Sequence, residues 1–155
     1  MKKIYLIVIS LFLVANVFAD KVYITKISTK TEQDLKSRVN TILESNDFEI
    51  TENKEDADLH ISIFSDVKTK RNINWGGWLI AYPLFGAFHD VGYAETTLKV
   101  TDKTGNVIYK ENTKNSSKEG YLFSDFKGGF NKISKKAESL SIEKAFRKFF
   151  TDYRI

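Results

Sequence analysis

The sequence contains no cysteine, one proline, one methionine and only two histidines in 155 residues. Without cysteine there is no disulfide framework, no zinc–thiolate centre, no cysteine nucleophile and no thiol to acylate near the amino terminus. Neither sign of charge dominates: 24 Lys+Arg stand against 20 Asp+Glu, and setting aside Lys2 and Lys3 leaves 22 against 20. A balance this even is no footprint for nucleic acid. Also missing are a phosphate-cradling Walker loop, a Rossmann glycine pattern, a His-x-x-x-His pair and a Gly-x-Ser-x-Gly elbow. Asp56 and Asp58 start like a calcium loop, but the glycine and glutamate such a loop requires do not follow. No metal, cofactor or catalytic set is expected. What remains, 42% hydrophobic and 14% aromatic, is too apolar for a disordered chain and fits one modest domain.

Residues 1–19 differ from the rest. Lys2 and Lys3 precede an apolar run, Ile4 to Val14, broken only by Ser10, and Val17-Phe18-Ala19 offers compact residues before a cut at Asp20. About fifteen apolar residues fall short of the ~20 that a spanning helix needs. The expectation is a secretory signal peptide, 1–19, followed by one domain, 20–155, outside the cytoplasm, in the periplasm or at the outer-membrane periphery.

Within that domain Val22 to Ser28 alternates apolar and polar residues, as a half-buried strand does. Thr31 can cap a helix that opens on Glu32, Gln33 and Asp34 and carries Leu35, Val39, Ile42 and Leu43 on one stripe. Phe48 to Thr51 reads as a short strand and Glu52 to Asp58 as a solvated connector. Leu59, Ile61 and Ile63 alternate towards Val67, and a second alternation runs through Ala94, Leu98 and Val100. Asp102 to Asn106 turns the chain at Gly105 into a hairpin partner, Val107 to Glu111. Asn112 to Gly120 reads as a mobile polar end of that hairpin. Phe130, Ile133, Ala137 and Leu140, then Ile142, Ala145, Phe146 and Phe149, trace a final helix whose stripe shifts phase near Ser141, with room for a kink. The order β-α-β-β-β-β-α predicts an α+β fold: a mainly antiparallel sheet of four to five strands with two helices on one face.

One segment breaks the pattern. An apolar insert, 73–90, contains Trp75-Gly76-Gly77-Trp78-Leu79-Ile80-Ala81-Tyr82-Pro83-Leu84-Phe85-Gly86-Ala87-Phe88, fourteen residues without charge that hold both tryptophans. Connections beyond ~12 to 15 residues are uncommon unless they function or are disordered. Trp75, Trp78, Tyr82 and Phe85 fall at steps of three, four and three, and Lys68, Lys70 and Arg71 lie just before them. Amphipathic rings beside cations suit a membrane surface. Three fates stay open: a lid packed as core, a membrane-surface contact, and an interface with an envelope protein or a second copy. The candidate contact residues are Trp75, Trp78, Leu79, Tyr82, Phe85, Phe88, Lys68, Lys70 and Arg71.

Only His60 and His89 could move a proton near neutral pH. His60 sits mid-strand and reads as a sheet residue, and His89 reads as a polar cap ending the apolar insert, so no enzyme is expected. Ala57-Asp58-Leu59-His60-Ile61-Ser62-Ile63, the apolar insert ending near Pro83-Leu84-Phe85, and Thr97-Leu98-Lys99-Val100-Thr101-Asp102-Lys103-Thr104-Gly105-Asn106-Val107-Ile108-Tyr109 together resemble small bacterial periplasmic or outer-membrane-associated proteins, many of them lipoproteins. Their β-α-β-β architecture is similar to the curli secretion channel lipoprotein, the penicillin-binding-protein activator lipoproteins and the amino-terminal domain of the Tol-Pal translocation protein. The resemblance implies an envelope binding or assembly component without enzymatic activity, and it carries over no catalytic residue. The alternatives are a soluble periplasmic ligand-binding module or a secreted hydrolase.

Overall fold

A computed structural model describes residues 20–29, 32–73, 88–121 and 129–153. The elements are β1 (Lys21–Ser28), α1 (Glu32–Glu44), β2 (Glu49–Ile50), a 3-10 turn (Lys54–Asp56), β3 (Leu59–Ile73), β4 (Phe88–Asp102), β5 (Val107–Tyr121) and α2 (Gly129–Tyr153). They form one five-stranded sheet in the order β2-β1-β3-β4-β5. The α+β class, the element order and the strand count are as the sequence predicts. The sheet is mixed rather than purely antiparallel: β1 runs parallel to both β2 and β3, and β3, β4 and β5 are antiparallel. The parallel pairs follow from α1, which carries the chain back to the starting end of β1 before β2 and β3 begin.

The strands are longer than hydropathy implies. β3 continues through Lys68–Arg71 to Ile73, and β4 begins at Phe88 rather than near Ala94. Asn112 to Gly120 is the second half of β5, paired residue by residue with β4 and no loose end. The far half of this three-stranded ribbon extends beyond β1, whose last partner is Phe64.

Alternation puts one face of the sheet under both helices. Val22, Ile61, Ile63, Leu98 and Val100 meet Leu35, Val39 and Leu43 of α1 and Ile142, Phe146 and Phe149 of α2, all buried. Residue 47, Asp47, takes φ 62° just after α1, and the amide of Phe48 returns to the Leu43 carbonyl at 3.2 Å. That turn sends the Phe48 ring onto Phe150, 5.6 Å between centroids. At the other sheet end Gly105 (φ 88°) closes the β4–β5 hairpin, and Asp102 Oδ1 accepts from the amides of Thr104 and Asn106 at 2.9 Å each.

α2 is a single continuous helix. Ile133, Ala137, Ser141, Ala145 and Phe149 lie four apart and are all buried, so the phase shift read near Ser141 arises because a serine holds one position of the stripe. The Thr113 hydroxyl donates to the Ser141 carbonyl (2.8 Å), and the Ser141 hydroxyl donates to the Thr113 carbonyl (3.0 Å). This reciprocal pair ties the helix to edge strand β5 and satisfies both buried hydroxyls.

Candidate functional site

Pleating decides where the candidate basic residues go, because successive side chains of a strand face opposite ways. Lys68 and Lys70 are exposed on the face away from the helices. Arg71 points to the helix side, where its Nε and Nη2 donate to the two carboxylate oxygens of Asp90 at 2.8 and 2.9 Å. Asp90 is fully buried and the Arg71 side chain 26% exposed. Losing one partner of such a pair costs up to about 3–5 kcal/mol, and the open side of the arginine brings that down. The three cations therefore do not act as one cluster: two face solvent and the third holds the far end of the ribbon together. Lys68 is itself 3.4 Å from Asp66.

Trp75, Trp78, Leu79, Tyr82 and Phe85 lie outside the described residues. Phe88 opens β4, and its backbone partner across the sheet is Ile73. The uncharged stretch thus leaves the sheet and rejoins it at neighbouring points on the rim of the β3–β4 hairpin. The expected insert 73–90 narrows accordingly, since Ile73 and Phe88 to Asp90 belong to strands.

His60 serves the sheet. Its Nε2 is 3.0 Å from the Lys54 carbonyl, to which it donates, and its ring meets Tyr23 edge-on at 6.0 Å. His89 is the second residue of β4, opposite Asn72 and Gly120, and no loop cap. Among the described residues no three His, Asp or Glu side chains gather as metal ligands, and no helix is long and apolar enough to cross a membrane.

Among the described residues the open face carries a shallow depression, about 320 Å³, lined by Asp66, Lys68, Tyr93, Glu95, Lys114 and Ser116 among others. Its charges satisfy each other. Lys114 lies 3.4 Å from Glu95, and the Asn112 amide donates to the same carboxylate at 2.8 Å. The Asn112 hydrogen bond first, then Lys114, hold Glu95 below the usual carboxylate range. One exposed tyrosine above paired charges is little for a ligand to grip.

Strand register reveals lysines that sequence reasoning passed over. Lys26, Lys99, Lys110 and Lys118 also project from the open face, the first two at polar positions of alternating strands. Alternation could have put Lys26 and Lys99 on a polar face, but β5 offers no such contrast. Their convergence depends on which strands pair and in what register.

No family model matches the chain, and no curated protein matches it. Among solved structures it is similar to an uncharacterized lipoprotein B from Nitrosomonas europaea, with TM-score 0.55 and 10% identity over 85% of this chain and 80% of that one. A minor lipoprotein from Acinetobacter baumannii aligns with TM-score 0.47 and 13% identity over 85% and 88% of the two chains. A lipoprotein from Caulobacter crescentus aligns with 0.46 and 11% over 83% and 86%. The Nitrosomonas protein shows a shared fold, and the likeness to small bacterial lipoproteins expected from the sequence holds as a likeness of fold. This chain has no cysteine to carry a lipid.

Proposed function

We propose that this chain is an exported, non-enzymatic component of the bacterial envelope that works by binding or assembly, with residues 75–88 as its contact element. The observation that carries the reading is the pairing of Ile73 with Phe88. It sets the strand residues that flank an uncharged stretch with two tryptophans side by side at one rim of the sheet. Large apolar patches on otherwise soluble proteins mark membrane or protein contacts. The lipoprotein fold neighbour and the leader-like residues 1–19 support an envelope setting.

The test is fractionation of a tagged full-length chain alongside a variant with Trp75, Trp78 and Phe85 changed to Ser. The wild type should sediment with membranes or as an oligomer and come off in detergent. The variant should appear in the soluble, smaller pool with an unchanged denaturation midpoint. A variant that stays associated, or that unfolds, overturns the contact role; unfolding would make the rings internal core.

A further inference from the structure

Across the open face, strand register aligns Lys26 of β1, Ser62 of β3, Lys99 of β4 and Lys110 of β5 in one row. At ~4.8 Å between strands the row spans about 14 Å. The row on one side is Tyr23, His60, Thr101 and Val107, and the row on the other is Ser28, Phe64, Thr97 and Asn112. These twelve positions hold three lysines and no carboxylate. Further along the face Lys70 and Lys118 flank Val91. The acids on the open side of β2, β3 and β4 are each beside their own lysine: Glu49 by Lys21, Asp66 by Lys68 and Glu95 by Lys114. Lys26, Lys70, Lys99, Lys110 and Lys118 have no ion pair among the described residues, so the open face is basic although the whole chain carries a formal net charge of only +4.

Folding alone does not favour this arrangement. Lys99 and Lys110 are directly opposed cross-strand partners, and like charges so placed destabilise a sheet. Lysines on an edge strand discourage edge-to-edge pairing, which accounts for those of β5. That reason reaches Lys26, since β1 has β2 beside it only at Lys21 and Val22, but it does not extend to Lys99 on interior strand β4. Lys26 lies over the Phe64 ring, 5.5 Å from its centroid, and Phe64 is 43% exposed. The Lys99–Lys110 opposition, a local rule broken without compensation among the described residues, points to a partner outside the fold.

We propose that this face docks on an anionic phospholipid surface. The free lysines are spread along the open face over about 14 Å by 27 Å, the longer dimension being the eight residues from Lys110 to Lys118 at ~3.4 Å each. Charges spread this widely over a face match an array of headgroups rather than one ligand held in a pocket. Each lysine near such a surface strengthens attachment, and the exposed rings of Phe64 and Tyr93 suit headgroup depth. The proposal deepens the envelope-contact reading above and names the surface that would be met, but it uses different residues.

The probe is binding of the full-length chain to vesicles of phosphatidylglycerol and phosphatidylcholine in a one-to-three ratio, compared with phosphatidylcholine alone. Lys26→Gln, Lys99→Gln and Lys110→Gln together should weaken partitioning to the anionic vesicles about 100-fold. Raising the salt from about 0.05 to about 0.5 M should erase most of the wild-type preference. Lys99→Gln alone should unfold no more easily than wild type at low salt, since it relieves the Lys99–Lys110 repulsion and leaves Lys26 over the Phe64 ring; a lower midpoint would assign that lysine to the fold and overturn the proposal. A charge-matched control, Lys36→Gln, Lys136→Gln and Lys144→Gln on the helix side, should stay within about threefold of wild type. Equal loss in the two triple variants would reduce the effect to net charge and overturn the face. So would wild-type binding to inorganic polyphosphate in preference to the vesicles, which would mark a soluble polyanion site. Lysine-dependent partitioning that survives Trp75, Trp78 and Phe85 to Ser would uphold this proposal and sink the contact role of residues 75–88; ring-dependent, lysine-independent partitioning would do the reverse.

Discussion

The near and far halves of the ribbon lie beneath the same helix, yet different chemistry closes them. In the near half, α2 sets Ile142, Phe146 and Phe149 against Ile61, Ile63, Leu98 and Val100, with α1 completing a continuous apolar core. In the far half the buried apolar cluster among the described residues is Val67, Ala94 and Ala137. Around it sit the Arg71–Asp90 pair, the Thr96 hydroxyl 3.3 Å from that of Ser65, and the Thr113–Ser141 exchange. Small residues let the helix approach closely: a Cβ added at Gly92 would lie 2.7 Å from Ile133 Cγ2 and 2.9 Å from its carbonyl oxygen. The near half is stabilised by area removed from water, the far half by close fit and by polar bonds of about 1 kcal/mol each. Opening should therefore start at the far end, where the uncharged stretch is attached.

The largest effect that could break this contrast is in the near core. Phe149→Ala removes a fully buried ring that touches Phe48, Tyr109 and Tyr153, and should cost about 3–5 kcal/mol in urea denaturation. A loss below about 1 kcal/mol would mean the near half is not where stability resides.

Gly92→Ala tests the far half. The Ile133 carbonyl cannot swing aside like a side chain tip, so α2 must lift from β4, at a cost of about 1–3 kcal/mol. In native-state hydrogen exchange the amides of β3 beyond Ser65 and of β4 before Thr96 should lose protection while those of Ile61, Ile63 and Leu98 keep theirs. Equal loss in the two halves would show a single cooperative unit and dissolve the distinction.

The same contrast explains what the sequence could and could not disclose. Where the core is apolar, alternation marks the strands: Leu59, Ile61 and Ile63, or Leu98 and Val100, need no structure to be recognised. α1, the Asp102–Asn106 turn and the order of elements were legible for the same reason. In the far half both faces of β5 are polar, Thr113, Asn115 and Ser117 inward and Lys114, Ser116 and Lys118 outward, so hydropathy had no contrast and Asn112 to Gly120 resembled a loop. Ser141 hid the continuity of α2 because its polar bonds are made inside the protein. Lys68, Lys70 and Arg71 looked like one basic run until the pleat divided them. The lysine row could not be found without register, since its members are up to 84 positions apart in the chain.

The smallest effect falls on the near half alone and comes from pH. Burial pushes the Tyr109 phenol up to about 12, with the carboxylates of Glu111 and Asp152 adding to it. Burial also pushes Tyr153 to about 12, together with the hydrogen bond its hydroxyl donates to Asp20 at 2.8 Å. An unfolded tyrosine releases its proton near pH 10. Between about 10 and 12 the folded chain therefore holds protons the unfolded chain has lost, and stability must fall as pH rises through that window. Because both phenols border the ring cluster of Phe48 and Phe149, alkali should weaken the half that core packing makes strong. Urea midpoints measured from pH 9 to 12 should decline across the window. In Tyr109→Phe, Tyr153→Phe the decline should be shallower, even if that variant starts lower through loss of the Asp20 bond. An equally steep decline in the variant would assign the alkaline sensitivity to other groups and leave the near half's advantage intact at every pH.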